Sequence, residues 1–532
     1  MKATYIDYSE THSFSETLLS YISQDSKLEP FLSYWPKLDN FGKFLTEERN
    51  AINREVLVKS LKQQYSHPQY HNQESKLVLK NIDLLSQPDT FTITTGHQLN
   101  IFTGPLYFIY KIVTAINLAK ELKAAYPDKD FVPVYWMATE DHDFAEINHT
   151  QLHDRKFNWD IETKGATGRV NPTSIGATLK AYENVLGISE NSAKLSEILD
   201  EAYLKHDTLA NATRFLVHAL FSDYGLVIID ADDIDLKREF SSIIKEDILE
   251  QKSFHAISET SAQLEENGFG TQVHAREINF FYLKDKLRER IVFENNRWEV
   301  LNTSISFNRE ELIAEIDEHP DRFSPNVVMR PLYQEVILPN LAYIGGGAEI
   351  IYWLQLKKNF DQYGIAFPIL IPRNSALITG ESFGNKLCRL KIPVKDIFKN
   401  TEILKKEWVI AHSEHILNLT NELQEFSALF ERLKLRAYKI DPTLAASTEA
   451  VRARLKKALH NLEQKLIKAE KRNHEGALSQ IDNLRRKYFP GNSLQERTEN
   501  FGLLYTRHGD KLITDLVRHF KPLDFKFTVL ES

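Results

Sequence analysis

With 532 residues, 42% of them hydrophobic, the chain is long enough for roughly three or four domains and apolar enough to fill a large core. Its net charge of −8 and pI near 6.2 argue against a dedicated nucleic-acid binder. A single cysteine, Cys388, excludes an intrachain disulfide and a multi-cysteine zinc site, and fits a reducing cytosol. Cys388 itself is expected to be a buried structural residue. No apolar run reaches membrane-spanning length and the first residues lack the apolar stretch of a signal peptide, so a soluble cytoplasmic protein is expected.

Residues 1–88 read as a helical segment packing on the core, with amphipathic stretches such as Glu47 to Gln64. Phe91 to Thr95 is a β-branched run ending at Gly96, the pattern of a buried strand. Thr103 is placed to cap a helix with Gly104 and Pro105 in its first turn, running to about Ala125. Phe131 to Met137 is the next strand, which completes a βαβ unit and a parallel pair. The pattern recurs at Gly225–Asp230, at Leu341–Ile344 followed by a helix from Ala348 to Phe360, and at Ala366–Ile371. Five strands alternating with helices predict a doubly wound parallel α/β sheet, a Rossmann-like core over 89–385. Segments of about 150–215 and 255–325 lack that alternation and read as insertions, the second with β-like pieces at Glu277–Leu283 and Arg290–Phe293.

Over 386–490 the pattern changes. Ile416, Leu419, Leu423, Phe426, Phe430, Leu433, Ala437, Ile440 and Leu444 alternate steps of three and four, a heptad seam. Asp441-Pro442 marks a turn, and Val451, Leu455, Leu459, Leu462, Leu466 and Ala469 continue the spacing in a second helix. The phase slips near His474-Glu475-Gly476, as at a stutter. An antiparallel coiled-coil hairpin follows, its seam satisfied within the hairpin, with dimerisation as a possible use of the arm. The lysines and arginines between Lys456 and Arg472 read as a solvated face. Residues 491–532 return to the core.

The chemistry concentrates in loops after strands, where α/β sheets place their sites. Thr95-Gly96-His97-Gln98 joins the first strand to its helix and, with Thr103 and Gly104 beyond, suits close backbone approach by an anion. It is neither GxGxxG nor a P-loop. His97 is a candidate acid, base or phosphate contact; the alternative is a hydrogen-bonded turn histidine. After the second strand, Trp136 leads into Glu140-Asp141-His142-Asp143, with Glu146 and Asn148 beyond. Three carboxylates around an imidazole fit acid–base catalysis or substrate recognition, with Asp141, His142 and Asp143 as catalytic candidates. A metal site drawing on Glu140, His142, Asp143, Glu146, His149 or His153 is the competing reading, and its spacing matches no established motif. Gly345-Gly346-Gly347 opens a third loop, with Glu349 and Tyr352 in the helix that follows. Arg373 and Asn374 end the fifth strand, and Arg373 can grip a carboxylate or phosphate.

Four segments carry a resemblance: TTGHQLNIFTGPLYFIYK, VPVYWMATEDHDFAEINH, GGGAEIIYWLQLK and FPILIPRNS, with Gln495-Glu496-Arg497 in support. Across essentially its whole length the chain resembles the cysteine-adding enzymes of bacillithiol synthesis. That resemblance implies a Rossmann-type core with two connecting-peptide insertions, similar to class I aminoacyl-tRNA synthetases, and a coiled coil that forms a homodimer. It implies a ligase joining cysteine to the amine of glucosaminyl-malate, with ATP or ADP and magnesium as expected cofactors. The synthetase-like lysine-serine signature is not visible; Gly380 to Lys386 is a poor match. The competing readings are a non-catalytic nucleotide- or tRNA-binding relative of the synthetases and a helical scaffold.

Overall fold

The computed structural model describes residues 1–66 and 75–532. At its centre are five parallel strands: β1 (Thr90–His97), β2 (Asp130–Met137), β3 (Val227–Asp230), β4 (Asn340–Gly345) and β5 (Ile369–Pro372). They lie in the order β5-β4-β1-β2-β3. This is the doubly wound arrangement expected from the alternation of strands and helices. Its two-sided burial is visible in β2. Val132, Val134 and Trp136 enter one core, and Tyr135 and Met137 enter the other with helix α1 (Tyr107–Ala125).

Several local expectations change. Residues 1–88 are not all helical: Lys2–Asp7 is a strand, adjacent in its sheet to Lys526–Glu531, which also borders Ala376–Thr379. A strand pair closing over more than 500 residues of chain has no local signature. Thr103 caps nothing. Phe102, Thr103 and Gly104 all take positive φ, and α1 starts only at Tyr107, beyond Pro105. The third-loop helix is two helices, α2 (Gly347–Leu354) and a separate turn Lys357–Tyr363.

The segment between β2 and β3 holds the hairpin His149–Leu152 and Arg155–Asn158 and three longer helices, of which Glu190–Lys205 is the longest. The segment between β3 and β4 carries a five-stranded sheet. Its hairpin Phe280–Lys284 and Leu287–Glu294 realises the two β-like pieces.

The chain divides into two compact units. The first comprises Met1–Ser9, Ser13–Ile378 and Leu494–Leu530; the second is mainly Thr379–Ser493. In the second, α3 (Thr401–His412) precedes the long helices α4 (Thr420–Ile440), α5 (Leu444–Asn473) and α6 (Glu475–Tyr488). The turn falls at Asp441-Pro442 and the break at His474, as the heptad phase predicted. Arg452 pairs with Glu431, Lys434 with Glu449, and Leu419 N–H donates to Glu463, so α4 and α5 are antiparallel. The seam is not satisfied within the hairpin. Phe430 and Ile467 are buried, but Leu455 and Leu462 remain 45% and 47% exposed. Two helices shield a heptad seam from one side only. Cys388 is exposed rather than buried. It lies on a short helix that sinks Phe383 and Leu387 instead.

Candidate functional site

The chain leaves β1 toward β2 and β3 on one side, and β4 leads to β5 on the other. That makes the crevice between β1 and β4 the topological switch point, where open α/β sheets bind ligands. Two clefts open there, of about 680 Å³ and 490 Å³. His97 and Glu349 line both.

The larger cleft is bipolar. Its acidic side comes from the loop after β2. Gln98 Nε2 donates to Asp141 Oδ2 and to Glu146 Oε2, both at 2.7 Å, and so ties the first loop to the second. Burial pushes the Asp141 carboxyl up, but the Gln98 hydrogen bond and the Arg288 charge outweigh it and hold Asp141 below the usual carboxylate range. Asp143 Oδ1 accepts the Glu146 N–H at 3.3 Å and caps the turn Phe144–Ile147. The basic side comes from the inserted sheet and its flanks: Arg276, Arg288, Arg290 and Arg330, with Lys111 from α1.

His142 sits where the two sides meet. Arg288 Nη1 lies 2.6 Å from His142 Nδ1. A guanidinium only donates, so Nδ1 accepts and the imidazole proton sits on Nε2. Burial and the Arg288 charge both lower the His142 pKa. His142 is thus a neutral hydrogen-bond donor toward the cleft, and the expected role as proton acceptor does not suit this tautomer.

Between the clefts lies a buried cluster. Lys111 Nζ is 2.5 Å from Glu349 Oε1 and donates to the Gly96 carbonyl at 2.9 Å. Glu349 also accepts from the Tyr343 hydroxyl at 2.8 Å and from the Gly346 N–H at 3.1 Å. Against burial, Lys111 holds the Glu349 carboxyl below its usual range. The His97 ring packs on Tyr107 and Phe108, and burial with the Lys111 charge pulls its pKa down to about 3. His97 Nε2 and Arg330 Nη2 are buried and lack a partner among the described residues. Both border the larger cleft.

Of the expected site residues, Gly96, His97, Gln98, Trp136, Asp141, His142, Asp143, Glu146, Glu349 and Tyr352 line the larger cleft. Glu140 also does, but it is ion-paired with the fully buried Lys237. Gly346, Gly347 and Arg373 line the smaller one. Arg373 was expected to grip a ligand, yet its Nη2 already meets the buried Glu496 at 2.8 Å. The rest serve the scaffold. Thr95 Oγ1 donates to the Ile344 carbonyl at 2.9 Å, joining β1 to β4. Gly104 takes φ +64 and its carbonyl accepts from Asn500 at 2.6 Å, and Thr103 is buried beside it. Gly345 O accepts the Arg373 N–H at 2.8 Å. Asn374 bonds to Thr114 and the Lys521 carbonyl, and the Asn148 carbonyl to Trp159 N–H.

Sequence reasoning missed Lys111, Lys237, Arg288, Arg330 and Tyr343. Lys111 did carry a signal: a lysine set among Phe108, Ile109, Ile112 and Val113 in α1, where burial makes a charge costly unless it is paired.

A model of the family described as "Bacillithiol biosynthesis BshC, N-terminal Rossmann-like domain" matches residues 1–374, and its "C-terminal coiled-coil domain" matches 376–532. The chain belongs to this family. Relatives described as "Putative cysteine ligase BshC" are 44% identical in Flavobacterium johnsoniae and 42% in Flavobacterium psychrophilum, with full coverage of both chains. One from Christiangramia forsetii is 39% identical, covering 100% of this chain and 99% of that one. Among solved structures, a Mycobacterium tuberculosis methionyl-tRNA synthetase covers 81% of this chain and 91% of its own, at 11% identity and a TM-score of 0.23, too low to carry an argument. Among the described residues no group of three or more His, Cys, Asp or Glu side chains is placed to hold a metal ion, and no helix is long and apolar enough to cross a membrane.

Proposed function

We propose that this chain is the cysteine ligase of bacillithiol synthesis, forming the amide between the cysteine carboxyl and the amine of glucosaminyl-malate in the cytoplasm. The observation that carries the reading is the bipolar cleft at the switch point, in a chain that matches BshC relatives from end to end. An amino sugar bearing a dicarboxylate needs what that cleft offers: carboxylates for the ammonium and hydroxyls, and guanidinium groups for the malate.

A free carboxylate does not acylate an amine, so the reading includes ATP with magnesium as co-substrate. A phosphoryl or adenylyl group on the cysteine carboxyl makes the oxygen a leaving group. The amine then attacks the carbonyl carbon, the C–N bond forms, the C–O bond to the phosphate breaks, and the ammonium proton passes to a cleft carboxylate. Asp143, whose Oδ1 holds only a turn N–H, suits that last role better than His142. His142 and Arg288 would instead steady the charge that grows on the carbonyl oxygen. The coiled coil, with its half-exposed seam, is the homodimer interface in this reading.

The test is incubation of the purified chain with glucosaminyl-malate, cysteine, ATP and magnesium, followed by mass spectrometry. Bacillithiol with one equivalent of ADP or AMP supports the ligase. Binding of all components without product removes it.

A further inference from the structure

We propose that the smaller cleft is an oxyanion subsite that holds the carboxylate or phosphate end of the acyl donor, while the amine acceptor occupies the larger cleft. This rests on the ligase reading above and divides its two reactants between two cavities that meet at His97 and Glu349.

The cleft, about 490 Å³, is of ligand size. Its lining carries Arg373 and Arg497 against one carboxylate, Glu349, whose charge Lys111 balances. Arg497 lines it, donates only to the Ser13 carbonyl at 2.8 Å, and has no carboxylate within ion-pair distance among the described residues. Arg373, also in the lining, is neutralised by Glu496 and adds a fixed guanidinium edge. Gly346, Gly347 and Ala348 form the wall where α2 begins. The N–H groups of Gly347 and Ala348 are first-turn donors with no intrahelical acceptor. A Cβ on Gly347 would sit 2.8 Å from Leu18 Cδ2, so glycine there lets the start of α2 pack directly against Leu18. His97 adds the buried, unpartnered Nε2 at the border between the clefts. A positive wall, free backbone donors and an unpaired imidazole nitrogen together suit an oxyanion whose attached carbon faces the larger cleft.

Carboxylate and phosphate share this chemistry, and titration calorimetry on the full chain separates them. L-cysteine, inorganic phosphate, ADP and glucosaminyl-malate are titrated into wild type, Arg497→Ala, Arg497→Lys and Arg330→Ala, with melting curves as the fold control. Arg497 is exposed at the rim, so its variants are expected to fold. The expected result is about a tenfold loss of cysteine affinity in Arg497→Ala, partial rescue in Arg497→Lys, and unchanged glucosaminyl-malate binding. Arg330→Ala shows the opposite split. Loss of phosphate and ADP binding in Arg497→Ala, with cysteine unaffected, keeps the subsite and assigns it to the nucleotide phosphate. Wild-type affinities for all probes in Arg497→Ala, equal weakening of every ligand in both variants, or no binding of any anionic probe by wild type would each overturn it. Failure of the ligase reading looks different: no product forms, yet the Arg497-dependent anion binding persists.

Discussion

Replacing His97 by glutamine removes a titrating ring and keeps a polar group of similar reach. Burial and the Lys111 charge, with Arg373 adding to them and Glu349 opposing, bring the His97 pKa from 6.5 to about 3. The folded chain therefore holds this proton less tightly than the unfolded chain does. Below pH 6.5 unfolding takes up a proton, so the stability linked to a neutral His97 is complete above that pH and declines as the pH falls toward 3. Between pH 7 and pH 5 the loss amounts to ~2 kcal/mol, from about 1.5 pH units at roughly 1.4 kcal/mol each. Other groups titrate alike in both proteins, so wild type should lose ~2 kcal/mol more than His97→Gln over that interval. Urea unfolding followed by circular dichroism at the two pH values reads the difference. A gap between the two proteins that stays constant from pH 7 to pH 5 would refute the burial argument. It would mean that His97 is hydrated or charged in the folded chain.

Lys237→Met leaves Glu140 buried without its cation and should cost about 3–5 kcal/mol at pH 7 in the same assay. Adding Glu140→Gln should recover part of that cost, and a double variant as unstable as the single one would sink the pairing argument. Exposed Cys388 should react with Ellman's reagent in native buffer, one thiol per chain within minutes; a reaction that waits for denaturant would place it inside. Leu455→Glu with Leu462→Glu should convert a dimer to a monomer in sedimentation equilibrium while leaving the Rossmann-like unit folded. A wild-type monomer at micromolar concentration would remove the interface reading.

Much of the core was legible because its signals are local. The run Phe91 to Thr95 and its counterparts show β-branched patterning, and the glycine and polar clusters after them mark strand ends. Parallel pairing then forces those ends onto one rim. The coiled coil was legible to the residue at Asp441 and His474, since the heptad phase is a property of the sequence alone. Thr103 and Gly104 misled because a motif loop looks the same whether it faces a ligand or, as here, packs away from one, with the Gly104 carbonyl on Asn500 and Thr103 buried beside it. Arg373 misled for a related reason: its carboxylate partner, Glu496, stands 123 residues away.

The order of strands and helices, the parallel sheet, the loops that carry Gln98, Asp141 and Glu349, and the phase of the long helices follow from short-range periodicity and turn chemistry. Which charges meet does not. The contact of Arg288 with His142, the pairing of Lys111 with Glu349 and of Lys237 with Glu140, and the split of the site into two clefts all join residues far apart in the chain. Burial then converts those encounters into fixed protonation states, because a low-dielectric interior tolerates a charge only beside its partner. A lysine or arginine in the sequence carries no sign of whether water or a carboxylate will face it; only the packed structure decides that.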